Sequence, residues 1–508
     1  MAIVLIDKER TVIPRWRDFR TTVAIGELKS SAESEPALQF PKGDFLASKV
    51  RDWSNNKDIP HAADLVSAAF VLKRYQDARE AAEFLIAKRE HVPSTVKSFA
   101  YQIIHPLTDA ERVSVSNEIE IVDPEQIQKR IHSLRRRLRD EPRNTIAYVD
   151  LARFYTLLDQ SERAKRAIEM ALKLDSQNRF VLRSATRFFI HINRAERAHQ
   201  ILRRSDASKS DPWLMAAEIA VSSAAGGSSR FAKTGQRIIA DDHFKPSELT
   251  ELASAIATLE LENGKARDAR KLFRKALVSP TENSVAQVEW ASRRIAGLDE
   301  IRVSQFNNVP RVYEAQAWEH YTSGNWVNAL EESWKWSYDQ PFSSRPISFG
   351  SYVASTVLGD YQQGVRILKL GRIANPDDPM LLNNLAFACA SLGDTRKAQE
   401  AFDQINLSKV LGAQEVVVTA TEGLLAFRSG RIAEGRAHYL RAIEMASQYP
   451  KRYKIMASIY YAREEMLAKT IEAAKARELA LELSSEVKDA DVHKVVEREL
   501  LDTNARID

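Results

Sequence analysis

Small residues recur along this chain at a nearly constant interval. Ala164, Ala198 and Ala232 are spaced 34 and 34 apart, and Ala329, Gly364, Ala398 and Gly435 follow at 35, 34 and 37. Larger apolar residues travel with them. Between residues 144 and 178, Leu151, Ala152, Tyr155, Ala164, Ile168 and Ala171 fall at helical spacing on two successive helices, broken near Asp159. Ala185, Phe189, Ala198 and Leu202 repeat the plan in the next unit, and Ile219, Ala220 and Ile239 in the one after, around a break at Gly226-Gly227. A period of this length holds two helices and their turns. Two antiparallel helices need a small residue where their axes come closest. The turn between them needs a residue that accepts positive φ, which Gly264, Gly324, Gly359, Gly393 and Gly430 supply. Pro280, Pro341 and Pro376 stop the second helices. One hairpin cannot bury its apolar face alone, so the units must stack.

This spacing and residue plan resembles the tetratricopeptide repeat family. The resemblance covers roughly residues 59–452 and implies an all-α fold: an α-solenoid, a right-handed superhelix of helix hairpins, with a short non-repeat N-terminal segment. Four regions are expected. Residues 1–58 lie outside the repeat. Residues 59–309 form a first array with degenerate stretches at 93–144 and 284–309. Residues 310–452 form a second array, and 453–508 supply capping helices and a tail. The short stretch at 284–309 is expected to disturb the rotation between neighbours and bend the superhelix into two blocks. Leu65, Ala69, Tyr75, Ala78 and Leu85 form an isolated early unit. Nearer the start, Ile3 to Ile6 suit a short strand, Arg15-Trp16-Arg17-Asp18-Phe19 starts a packed segment, and residues 30–41 suit a loop. The N-terminal segment either caps the solenoid or docks on a partner; both readings stand.

No catalytic constellation is present in the sequence. It has no phosphate loop, no dinucleotide fingerprint and no His-Glu-x-x-His, and no two histidines stand at metal-ligand helix spacing. Gly226-Gly227-Ser228-Ser229 lacks the spacing of a nucleophile elbow and reads as an inter-helix turn. The one cysteine, Cys389, falls on the buried side of a first helix and reads as core. No catalytic, cofactor or metal site is therefore expected. A single cysteine also precludes an intrachain disulfide and suits a reducing, cytoplasmic setting. No secretory signal and no membrane span is expected from the apolar runs.

Charge is unevenly spread. Residues 129–204 carry 19 Lys or Arg against 8 Asp or Glu, a local net of +11; the whole chain is +5, which leaves −6 for the rest. Lys129, Arg130, Arg135, Arg136, Arg137 and Arg139 form a dense basic patch on one helix. In the repeat register, Arg153, Arg183 and Arg187 avoid the buried positions of first helices and should face the groove. Trp318, with Glu314 and Tyr321 on the same face, is a candidate aromatic anchor there. Trp326 and Trp336 read as packing residues. Some tetratricopeptide domains grip a peptide carboxylate with a Lys/Asn/Arg clamp; Asn383-Asn384 is the only place to look, and Phe349, Val353, Val417 and Thr421 stand where the other clamp residues would be. That clamp is incomplete.

The expected function is a protein–protein interaction scaffold, or a regulatory subunit of a multi-protein complex. It would hold a partner with an acidic surface in its groove. Two alternatives remain open at this point. One is an RNA-binding helical repeat that uses the basic block, which has charge but no stacking platform, since Phe189 falls in the core. The other is a regulator whose superhelix responds to a bound peptide.

Overall fold

The computed structural model describes residues 13–17, 44–71, 74–88, 92, 96, 99, 100, 103, 104, 123–241, 244–299 and 301–501. The expected strand at Ile3 to Ile6, the loop at 30–41 and most of 93–122 lie outside the described residues. Every regular element among those described is helical. The chain forms two compact units, one of residues 19–120 and one of residues 1–18 with 121–508.

In the smaller unit, helices Asp44–Asn55, Ile59–Val71 and Arg79–Ala87 enclose a core of Trp53, Leu65, Ala69, Ala78, Ala82 and Leu85. Tyr75 packs at its edge. The early unit expected from the spacing is thus a helix pair with its own core.

The larger unit is an α-solenoid. Asp123 caps the helix Pro124–Asp140, its carboxylate accepting the Glu125 N–H at 3.0 Å. Hairpins follow: Thr145–Leu157 with Ser161–Leu174, Arg179–His191 with Ala195–Arg204, Pro212–Ala224 with Ala232–Ala240, and Pro246–Glu262 with Ala266–Ala276. Further along come Tyr313–Thr322 with Trp326–Asp339, Ser344–Tyr352 with Tyr361–Gly371, Pro379–Ser391 with Thr395–Phe402, and Ala413–Arg428 with Ile432–Met445. Lys451–Leu467 with Ala473–Ser485 adds a last pair of the same plan.

Left-handed residues mark the turns between paired helices: Asp159 (φ 54°), Asn193 (57°), Gly226 (66°), Gly264 (79°), Gly324 (76°), Gly359 (73°), Gly393 (85°) and Gly430 (79°). Asp and Asn tolerate this region better than other side chains do, which explains how the first two turns manage without glycine. The small residue sits at the fourth position of each second helix and is buried: Ala164, Ala198, Ala269, Ala329 and Ala398. In the third unit this position is Gly235, not Ala232. Ala232 opens its helix and is only half-buried, whereas a Cβ on Gly235 would lie 2.9 Å from Ile256 Cδ1. The interval there is therefore 37, lengthened by the Gly226–Phe231 turn.

The stretch 284–309 begins inside a helix, Glu282–Ser292, that among the described residues is not followed by a second helix of comparable length before Tyr313. Turns and one 3-10 turn, Val303–Phe306, follow it. Val303, Val309 and Val312 bridge the gap by packing on Val285, Ala286 and Ala315. Beyond it the array curls back on itself. Phe342 and Ala374 join the same buried cluster as residues 127–221.

Candidate peptide-binding groove

Residues 13–17 of the chain's own N-terminal segment lie against helices Thr145–Leu157, Arg179–His191, Glu282–Ser292, Tyr313–Thr322 and Trp326–Asp339. Arg15 and Arg17 meet acidic side chains, and Trp16 between them meets aromatic ones. Trp16 is fully buried between Phe188 and Phe342, with ring centroids 6.1 and 5.6 Å away. Arg153 Nε donates to the Trp16 carbonyl at 3.4 Å. Among the described residues, the Trp16 indole N–H finds no acceptor.

The two arginines enter acidic sites. Arg17 grips Asp339 with two hydrogen bonds of 2.7 Å, from Nε and Nη2, and its Nη1 reaches Glu282 Oε1 at 2.6 Å. Arg15 Nε donates to Asn283 Oδ1 at 2.7 Å, and its Nη2 pairs with Glu314. Asn283 Nδ2 returns a bond to the Ile13 carbonyl at 3.3 Å. Paired guanidinium–carboxylate geometry of this kind is strong and directional. Burial pushes the Asp339 carboxyl up, but the Arg17 charge beside it outweighs burial and holds it at about 2. Glu282 is depressed by the same contest, burial against Arg17. Burial disfavours the charge on Arg17 and Arg15, yet the surrounding carboxylates raise both above the ordinary arginine value.

These contacts extend into a ladder. Arg183 pairs with Glu251 (2.7 and 3.2 Å) and lies over the Trp213 ring at 4.7 Å; Glu251 also accepts from Asn283 at 3.1 Å. Arg187 lies over the Phe342 ring at 5.0 Å. Glu314 takes a second guanidinium, Arg345, at 2.5 Å.

Arg153 and Glu314 contact residues 13–17 directly, Arg183 shares Glu251 with Asn283, and Arg187 lies over Phe342. Their partners differ from the expectation of acidic side chains on a second protein. Arg183 is engaged by Glu251 of this chain, Arg153 is buried behind Trp16, and Glu314 holds Arg15. The register gives the direction of a side chain but not what already stands opposite it.

Trp318 and Tyr321 lie elsewhere in the array and are buried too. Trp318 packs on Phe349 (4.6 Å) and Tyr321 (5.6 Å), with Arg293 over its ring. Tyr321 and Tyr352 donate to Asp491 Oδ2 at 2.5 and 2.6 Å, and Arg452 pairs with the same carboxylate. Burial raises the pKa of both phenols. Asp491 belongs to the C-terminal helix Ala490–Val496, which packs on this part of the array. Trp318 is thus core rather than an exposed anchor. Trp336 is buried, as expected.

On helix Pro124–Asp140, Lys129, Arg135, Arg136, Arg137 and Arg139 are exposed and Arg130 is half-buried. Lys129 pairs with Glu125 at 3.0 Å and Arg137 with Glu141 at 3.1 Å. Asn383 and Asn384 are buried, Asn384 Nδ2 donating to Ser351 Oγ at 3.4 Å. Cys389 is buried, and burial pushes its thiol up. Among the described residues no three His, Cys, Asp or Glu side chains gather to hold a metal, and no helix is long and apolar enough to cross a membrane.

Sequence reasoning marked the Arg15–Phe19 segment as packed but missed its receptors, Glu282, Asp339 and Phe342. They stand at a helix start, a helix end and a loop, hundreds of residues from their partners, so no local pattern announces them.

No curated protein matches the chain in sequence. In structure it is similar to the Cut9–Hcn1 hetero-tetramer of the APC/C, at 14% identity over 95% of this chain and 93% of that one, with a TM-score of 0.40. It is also similar to a human IFIT1 dimer with PPP-AAAA (15% identity, 72% of this chain, 91% of that one, TM-score 0.39). Yeast Tom70 matches at 13% identity over 88% and 96%, with a TM-score of 0.30. The tetratricopeptide repeat family model matches residues 146–178. That span is the hairpin Thr145–Leu157 with Ser161–Leu174, one unit of the α-solenoid.

Proposed function

We propose that this chain is a protein-interaction scaffold that holds an extended segment of a protein partner along its inner face. One observation carries the reading. Side chains from five helices, Arg153, Phe188, Asn283, Glu314 and Asp339, converge on a single segment, Ile13 to Arg17. Buried ion pairs, an aromatic slot and a bond to a backbone carbonyl are the elements by which a groove reads a peptide. The exposed basic helix Pro124–Asp140 supplies a second, outward surface suited to an acidic partner. A single buried thiol fits a reducing, cytoplasmic setting.

Affinity capture of the tagged full chain from its own cells, with and without nuclease, tests this. Protein partners that survive nuclease are expected. Partners lost with nuclease, together with recovered RNA or DNA, would overturn the reading in favour of nucleic-acid binding by the basic block.

A further inference from the structure

We infer that the groove is a receptor for an Arg–aromatic–Arg segment of another protein, and that Arg15-Trp16-Arg17 is its displaceable occupant in cis. The inference rests on the scaffold reading and names the chemistry of its ligand.

The receptor is built for two guanidinium groups. Glu282, Glu314 and Asp339 are carboxylates with little exposure. Without Arg15 and Arg17, the cations left to them within ion-pair distance among the described residues are Arg345 at Glu314 and Arg311, 3.9 Å from Asp339. Vacating the groove takes Arg17 from Glu282 and the bidentate partner from Asp339, and carboxylates of little exposure that lose positive charge are costly, so a vacated groove favours replacement charge. The Asp339 contact is bidentate, which a planar guanidinium satisfies and an ammonium does not. Asn283 adds a reading of the backbone, through the Ile13 carbonyl.

Between the two acidic sites lies a slot walled by Phe188 and Phe342, where the Trp16 indole N–H has no acceptor. The slot therefore selects for an aromatic ring without rewarding the indole nitrogen, and a ring lacking that donor meets it without an unpaired N–H. With one donor unmet, the resident segment is one that a better-matched segment can replace.

The probe is a fluorescent peptide of residues 11–20, Thr-Val-Ile-Pro-Arg-Trp-Arg-Asp-Phe-Arg, titrated into the full chain. The variant R15A/W16A/R17A, with its helical circular dichroism retained, should bind the peptide. Wild type should bind it about ten-fold more weakly or less, because its groove is mostly filled. Adding D339N to the triple variant should weaken binding by roughly ten-fold or more, as should lysine for both arginines in the Arg-Trp-Arg core of the peptide. Failure of the folded triple variant to bind, or equal binding of the lysine peptide, would overturn the inference. Should the triple variant not fold, Trp16→Ala alone empties the slot; peptide binding no tighter than to wild type would then overturn it. Dimers formed on mixing the triple variant with wild type would instead assign the groove to a second copy of this chain and overturn the claim of another protein. Nuclease-resistant partners captured by a chain that fails the peptide test would leave the scaffold reading standing and this inference fallen.

Discussion

At the scale of single residues, Trp16 and Arg17 concentrate the most consequence in the fewest atoms. Trp16 fills the space between Phe188 and Phe342, so truncating it removes a buried ring from the seam where the array meets itself. Trp16→Ala should lower the stability of the larger unit by about 3–5 kcal/mol, read as a shift in the denaturant midpoint. A loss well under 1 kcal/mol would mean that the strand is not held by its ring. Arg17 makes an acid-sensitive tie. Asp339 is depressed in the folded state to about 2, so its contribution is full above the unfolded carboxylate value, near pH 4, and fades as pH falls toward 2. That contribution is roughly 2 kcal/mol, and the depressed Glu282 adds in the same direction. Arg17→Leu should flatten this acid limb between about pH 4 and 2. Urea midpoints compared at pH 5 and pH 3 check it; identical pH slopes in wild type and variant would refute the assignment.

At the scale of elements, one close helix approach falls where two glycines meet. A Cβ on Gly435 would stand 2.5 Å from the Phe427 ring and 2.9 Å from the Gly423 carbonyl oxygen, and the second of these is backbone that cannot swing aside. Gly435→Ala should therefore destabilise by about 1–3 kcal/mol from overpacking, despite a gain in helix propensity of about 1 kcal/mol. A rise in melting temperature would show that the helices separate at little cost. These elements were largely legible in the sequence. Period and small residues placed the hairpins, and glycines placed most turns, because both follow from local sterics. The third unit slipped by three residues because Ala232 and Gly235 are both small, and only the packing of Ile256 distinguishes them. The C-terminal packing was not legible. Val353–Leu358 winds as a π-helix, and Arg498 donates to the Thr356 and Val357 carbonyls at 2.8 and 2.7 Å. That contact joins residues about 140 apart, for which periodicity carries no signal.

At the scale of the whole larger unit, these long-range ties change how the array should unfold. An open solenoid is held by nearest-neighbour interfaces, so its repeats can fray or melt in blocks. Here three features bind distant repeats to one another. The segment Ile13–Arg17 joins Thr145–Leu157 and Arg179–His191 to Glu282–Ser292 and Trp326–Asp339. Phe342 and Ala374 sit in the core of residues 127–221, and Asp491 clasps Tyr321, Tyr352 and Arg452. A block cannot leave without breaking contacts to a remote one, which enforces cooperativity. Calorimetry on wild type should give one dominant transition for this unit, with van't Hoff and calorimetric enthalpies in near agreement. Cutting two ties, with R17A and D491A together, should broaden or split that transition and lower the ratio of van't Hoff to calorimetric enthalpy. Each single variant should mainly shift it to lower temperature. A double variant that melts as sharply as wild type would mean that nearest-neighbour stacking alone supplies the cooperativity and that the ties decorate a fold which does not need them.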